Sequence, residues 1–133
     1  MNSLTNSRAG FIELLGRVLL ALLFLLSGLA KVGAYHATAA FMTSAGVPGA
    51  LLPLVIATEV GGSLAIILGW KTRVVAFLLG GFSVLSALAF HRNFSDQMQL
   101  TEFLKDVSIA GGFLLLVAHG AGRLSIDGRR PSP

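Results

Sequence analysis

The sequence contains no cysteine, and charged residues are scarce in it. The missing cysteine excludes disulfides, thiolate catalysis and cysteine-ligated metal or iron–sulfur centres. Only 12% of the 133 residues are charged, against roughly 25% in an ordinary soluble domain. A soluble chain needs polar residues on its outward faces, and long stretches here have none. The scarcity of charge indicates a membrane protein. The missing cysteine means that any redox chemistry would depend on a bound cofactor or a partner.

Acidic residues are fewer than basic ones, six against ten, and the net charge is +4. The basic residues are scattered between apolar runs and do not form a stripe with aromatic residues, so no nucleic-acid partner is predicted. No metal site is predicted either. The histidines at 36, 91 and 119 do not offer two axial ligands that face one another, which argues against haem.

Hydrophobic residues make up 54% of the chain and are concentrated in four runs. A helix needs about 20 mostly apolar residues to cross the hydrocarbon core of a bilayer. The runs cover about residues 11–32, 51–70, 74–90 and 103–119. The first could instead be read as a signal peptide, but that would leave three spans, and we favour a membrane helix. We expect residues 1–133 to form one all-α domain, an integral membrane four-helix bundle.

The distribution of basic residues between the runs predicts the orientation. Cytoplasmic loops of membrane proteins carry an excess of Lys and Arg. Six basic residues fall on one side and three on the other. The first group is Arg8, Lys71, Arg73, Arg123, Arg129 and Arg130, and the second is Lys31, Arg92 and Lys105. This predicts a multi-pass membrane protein with both termini in the cytoplasm.

The connecting segments differ in length. Only residues 70–73 separate the second and third runs, so these helices should form an antiparallel hairpin, with Thr72 capping the third helix. Residues 33–50 are long enough for a short interfacial helix between the first and second spans, with an irregular loop as the alternative. The tail, residues 120–133, is expected to be a surface strand or a disordered end.

Glu59 is the most informative residue. It is the only charge in the second run, and an ionised side chain near the bilayer centre costs about 2.5 to 3.5 kcal/mol on insertion scales unless it is compensated. We expect Lys31 and Lys105 to bracket it, with His91 and Arg92 at the mouth of a small polar cavity. Three readings stay open: a ligand or proton site, charges that only hold the helices in register, or lysines that reach the interface unpaired.

Glu13 and Arg17 lie one helical turn apart in the first run, at a spacing that allows them to pair. We expect a structural ion pair there or a contact between Arg17 and a lipid phosphate.

Taken together in their order along the chain, these residues and several glycines resemble the DoxX family of four-helix membrane proteins of bacteria and archaea. The likeness extends from Arg17 to Asp127. Its parts are Arg17, Gly28 and Lys31; Gly46-Val47-Pro48; Glu59-Val60-Gly61-Gly62; Gly69; Thr72-Arg73; Phe90-His91; Lys105; Gly111-Gly112; Gly120; Gly122; and Ser125-Ile126-Asp127.

The resemblance implies a membrane subunit of a quinone-linked oxidoreductase, which would work with a soluble or membrane redox partner and would not be an enzyme alone. In this hypothesis Lys31, Glu59, His91 and Lys105 bind a quinone head group or carry its protons. The alternative is a non-enzymatic membrane scaffold, a lipid-binding protein or a small-solute transporter. Four short helices leave little room for a transport cycle unless the chain forms a homo-oligomer.

Overall fold

The computed structural model describes residues 3–129, with side chains from residue 8 onward, and the elements in this range are helical. Arg130 and the final Pro131-Ser132-Pro133 lie outside the described residues. The elements are α1 (Ser3–Gly33), α2 (Tyr35–Ser44), a 3-10 turn (Gly49–Leu51), α3 (Leu52–Leu68), α4 (Thr72–Phe90), α5 (Gln97–His119) and α6 (Ile126–Arg129).

Three helical segments of the described range are long and apolar enough to cross a membrane: Arg8–Gly33, Gly49–Leu68 and Thr72–Phe90. They coincide with the first three predicted runs. α5 has 23 residues and contains the fourth run, but Glu102, Lys105 and Asp106 lie in its first turns. The protein is therefore an all-helical integral membrane protein with three segments of spanning character.

Large apolar side chains cover the outside of these helices. Leu19 is 60% exposed, Phe77 65% and Leu85 67%. Monomeric soluble proteins rarely leave so much contiguous apolar surface in contact with water. The exposed surface is therefore suited to lipid.

The long helices pack as two close pairs, α1 with α3 and α4 with α5. Gly28 on α1 allows the first approach, because a β-carbon there would lie 2.7 Å from Val60 Cγ2. In the second pair, a β-carbon on Gly80 would lie 3.3 Å from Phe113 Cβ. Small residues permit such approaches where lipid supplies no hydrophobic driving force between helices.

A buried apolar core joins the two pairs. Phe24 of α1 meets Phe113 of α5 edge to face, with ring centroids 5.5 Å apart. α3 and α4 approach closely at Gly62, where a β-carbon would lie 2.9 Å from Leu79 Cδ2. The buried members of this core are Ala21, Phe24, Ile66, Ala76, Leu79 and Phe113.

The bundle has two distinct ends. We call the end with the Gly69–Lys71 turn between α3 and α4 the turn end, and the opposite end, with Lys31, α2 and His91, the cavity end. Residues 120–129 fold back onto the turn end, where Ala121 and Ser125 are buried. For these residues the predicted surface strand or disordered end is wrong, because α6 and its preceding turn pack against the hairpin.

The predicted cap on α4 is also wrong. Thr72 is the first residue of α4 and therefore not its N-cap residue. The N-cap residue is Lys71, and its side chain makes no capping hydrogen bond. The two carboxylate oxygens of Asp127 accept hydrogen bonds from the backbone N–H groups of Lys71, at 2.9 Å, and Thr72, at 2.8 Å. The cap therefore comes from a residue distant in sequence, which the folded tail brings to the helix start.

At the cavity end, residues 35–44 are helical, so the irregular-loop alternative does not describe them. The Phe41 ring stacks on Phe90 at the end of α4, with centroids 5.5 Å apart and planes 25° from parallel. Gly46, with a φ of 87°, lies just beyond the end of the helix. α2 thus reaches from the α1–α3 pair to the end of α4.

Candidate functional site: a buried ion pair on the wall of an apolar cavity

Glu59 is enclosed by the helices that surround it. The residue is only 2% exposed, because α1 passes close by: a β-carbon on Gly28 would lie 3.2 Å from Glu59 Cβ. A carboxylate in this position needs a partner within the protein.

Lys31 supplies that partner. Its Nζ lies 2.7 Å from Glu59 Oε1 and also donates a hydrogen bond to Ser27 Oγ at 2.6 Å, one turn earlier on α1. The lysine side chain is 26% exposed, whereas that of Glu59 is 3% exposed. The ammonium group therefore forms an ion pair with the carboxylate, donates a hydrogen bond to the hydroxyl and keeps partial access to the surroundings. Lys31 is paired with Glu59 as expected.

The pair lies on the wall of a cavity of about 560 Å³ at the cavity end. Ligand pockets commonly measure about 300 to 1,000 Å³. Residues of all five longer helices line it, and most of the lining is apolar. Four of the lining residues are phenylalanines: Phe24, Phe41, Phe82 and Phe90. The cavity is more apolar than the small polar one that we expected.

The cavity brings the predicted site residues together, but not in the predicted pairs. Lys31, Glu59, His91 and Lys105 all line it. Lys105 Nζ, however, lies 2.6 Å from Glu102 Oε2, one turn earlier on the same helix. The expectation that Lys105 brackets Glu59 is wrong, because a nearer carboxylate on α5 takes the ammonium group.

Arg92 is exposed and is not among the lining residues, whereas its neighbour His91 is. Asp106 lines the cavity beside Lys105 and His91, and its carboxylate is close enough to both for their charges to act on it. The polar rim is thus built mainly from α5 and the end of α4.

Sequence reasoning missed the contribution of α2 and of the lipid-facing leucines. Thr38, Phe41 and Met42 form part of the lining, and only the fold of residues 33–50 puts them over the cavity. Ser27 could have been found, since a hydroxyl four residues before Lys31 lies on the same helical face.

Arg17 is the second buried charge, and it lies at the turn end. The residue is 1% exposed. Its Nη1 donates to the backbone oxygens of Ile66, at 3.0 Å, and Ile67, at 3.1 Å, and its Nη2 donates to the backbone oxygen of Leu124. Burial excludes the lipid-phosphate contact that we considered.

Glu13 has a place beside this arrangement. It contributes a charge that acts on Arg17, and its carboxylate fills the space where Gly122 would carry a β-carbon. We read the turn end as a structural assembly in which Arg17 is held by backbone oxygens.

The cavity can hold the polar head of a ligand against a charge pair while its aromatic walls contact an apolar ring. Within residues 3–129, no group of three or more His, Asp or Glu side chains is arranged to hold a metal ion.

Residues 12–92 match the family model described as DoxX. The chain belongs to the DoxX family. The match includes Lys31, Glu59 and His91, whereas α5 and the folded tail lie beyond it. The resemblance seen in the sequence is thereby confirmed.

Curated DoxX-like relatives cover more of the chain. It is 45% identical over 114 residues to the inner membrane protein YqjF of Escherichia coli, which covers 86% of this chain and 88% of the relative. It is 34% identical over 123 residues to the inner membrane protein YphA of the same organism, covering 87% of this chain and 88% of the relative. Both names state a membrane location and no ligand. No solved structure matches the chain.

Proposed function

We propose that this DoxX protein is a quinone-binding membrane component of an electron-transfer assembly, with the quinone head group in the cavity beside Lys31 and Glu59. The observation that supports it is the buried pair, 2.7 Å apart, on the wall of a cavity that is otherwise mostly apolar and aromatic. Binding sites for ring compounds combine such walls with a few placed polar groups.

The proposal includes a topology. α5 is the fourth span of a four-helix bundle, since its 23 residues extend over about 34 Å, and its charged first turns lie at the cavity end. Both termini are cytoplasmic, as the basic residues indicate. The turn end then faces the cytoplasm, the cavity lies in the outer half of the bilayer, and α2 lies at the outer interface.

The residues of the pair match the two states of a quinone head. Lys31 Nζ can donate a hydrogen bond to a ring carbonyl, and the Glu59 carboxylate can accept one from a ring hydroxyl of the reduced form. Phe82 and Phe90 line the same cavity and offer flat apolar surfaces to the ring. His91 and Lys105 lie at the polar rim.

Oxidation of a quinol releases two protons and two electrons. Glu59 can take the two protons one after the other if Lys31 moves away from it, and each proton can pass outward through His91 before the next is taken. The two electrons go to a redox partner in this proposal. The protein is then a subunit and not an enzyme by itself.

The test is equilibrium binding of a short-chain benzoquinol, kept reduced under anaerobic conditions, to the purified protein in mild detergent. Glu59→Gln should weaken binding by about tenfold or more, since a hydrogen bond to a charged group contributes roughly 1.5–3 kcal/mol. Glu13→Gln is the matched control: it removes an acid at the other end of the bundle and should leave the affinity unchanged.

Two further measurements separate this proposal from its rivals. Extraction of lipids from the purified protein should return a quinone, and a pull-down from native membranes should recover a redox protein. Two results would overturn the proposal: wild-type protein that binds neither the quinone nor the quinol, or a Glu59→Gln variant that binds the quinol as tightly as the wild type. A phospholipid retained in its place would favour the lipid-binding alternative.

A further inference from the structure

The cavity lining is exposed on two sides, which we call its openings, and these differ in character. On the side between α3 and α4, the lining residues Leu54 and Leu85 are 64% and 67% exposed. On the side between α1 and α5, the lining includes Lys31 and Lys105, whose side chains are 26% and 46% exposed. One opening is therefore apolar and the other is charged.

The apolar opening lies away from the contact that α3 and α4 make at Gly62 and Leu79. Leu54 lies eight residues from Gly62 along α3, or about 12 Å, and Leu85 lies six residues beyond Leu79 on the antiparallel helix. Both leucines fall within segments of spanning character. The opening thus faces the lipid and not the aqueous boundary.

We propose that this opening is a lateral portal, bounded by Leu54 and Leu85, which holds the isoprenoid tail of the quinone while the head group contacts Lys31 and Glu59. The inference rests on the proposed function for the head group and adds the route to the bilayer. An apolar chain is stable between exposed leucines, whereas the charged opening would have to be desolvated to accept it.

The charges at the site favour an uncharged head over a phospholipid. Both lysines of the lining already have a carboxylate partner, Lys31 with Glu59 and Lys105 with Glu102. A phosphate would have to displace one of these carboxylates and leave it unpaired in a mostly apolar cavity. A quinone head needs only hydrogen bonds, which the existing pair supplies. We therefore assign the portal to a quinone and not to a phospholipid.

The portal is tested by narrowing it. Leu85→Trp should weaken binding of a long-chain quinone by about tenfold, which corresponds to losing the burial of roughly two methylene groups. A quinone with a methyl group in place of the tail should bind as it does to the wild type. Leu78→Trp is the matched control, because Leu78 is two turns away on α4, is 58% exposed and does not line the cavity.

The outcomes distinguish the portal from the proposed function. Loss of the long-chain quinone alone, in Leu85→Trp but not in Leu78→Trp, supports the portal. Unchanged long-chain affinity, or equal loss of both quinones, overturns it and leaves the head-group site standing. Wild-type protein that binds neither quinone overturns the proposed function. A phospholipid that is retained by Leu78→Trp and lost from Leu85→Trp, without quinone binding, overturns the assigned occupant. The thermal unfolding midpoint of each variant checks that it is folded.

Discussion

Each end of the bundle buries one ionised side chain, but the two ends satisfy the charge differently. At the turn end Arg17 donates to three backbone oxygens. At the cavity end Glu59 has a mobile side chain as its partner, the ammonium group of Lys31. Backbone oxygens are fixed and do not titrate, whereas a lysine can turn away. The turn end is therefore suited to hold the fold, and the cavity end to exchange its partner for a ligand.

The turn end gains its rigidity from several chain segments that meet at one arginine. Ile66 and Ile67 belong to the last turn of α3, whose carbonyl groups lack partners within the helix and carry the negative end of its dipole. Leu124 belongs to the folded tail. Arg17 thus joins α1, α3 and residues 120–129, and no cavity is needed to explain its burial.

At the cavity end, the ammonium group of Lys31 can exchange one partner for another. Lys31 already shares its ammonium group with Ser27, so loss of the contact with Glu59 would not leave the lysine without an acceptor. The two ends should therefore respond differently to substitution.

Arg17→Ala should lower the free energy of unfolding by about 4 kcal/mol, because it removes a buried side chain that makes three hydrogen bonds and leaves the carbonyl groups of Ile67 and Leu124 without that donor. Denaturant unfolding in detergent measures the change. Arg8→Ala, an exposed arginine on the same helix, is the control and should be nearly neutral. An equal effect of both variants would contradict the structural role of Arg17.

Gly69→Ala should cost about 3 kcal/mol, since the residue has a φ of 72° and a β-carbon would meet Ser125 and lie 2.6 Å from Arg17 Nη1. Gly61→Ala is the control: a β-carbon there meets nothing within 4 Å, and alanine favours a helix. Similar unfolding midpoints for both variants would show that the folded tail does not pack on the turn as described.

Asp127→Ala should cost about 1–2 kcal/mol, because it removes the carboxylate that caps α4. Hydrogen exchange should increase at the backbone amides of Lys71 and Thr72. Asp96→Ala provides the contrast, since Asp96 caps its own helix through the N–H group of Met98 at 2.9 Å. That variant should accelerate exchange at the start of α5 and leave α4 unchanged; the reverse pattern would refute the long-range cap.

Glu59→Gln should have the smallest effect on stability, about 1 kcal/mol or less, because Lys31 keeps Ser27 as an acceptor and the glutamine amide can still accept from it. Replacing the pair with apolar residues, Lys31→Met with Glu59→Leu, should be neutral or stabilising, yet should abolish quinone binding. A loss of stability as large as that of Arg17→Ala would mean that both ends serve only the fold.

Much of this architecture follows from local features of the sequence. Four apolar runs predicted four spanning helices, and three of these helices have spanning character. The position of Glu59 in the second run predicted a basic partner, since an isolated charge at that depth is costly. Lys31 at the end of the first run was the correct partner because an antiparallel neighbour brings that end close to the middle of α3.

Tertiary structure alone decided the rest. The pairing of Lys105 depended on which carboxylate lies nearest in three dimensions, and Glu102 on the same helix took precedence over Glu59. Asp127 caps α4, and Phe41 forms part of the cavity lining. Both belong to segments whose sequence carries no strong local pattern, so their places depend on how those segments fold. The preference of an apolar residue for lipid, and the cost of an isolated charge there, can be judged from each residue by itself. Side-chain pairs and cavities depend on distances between segments, which only packing determines.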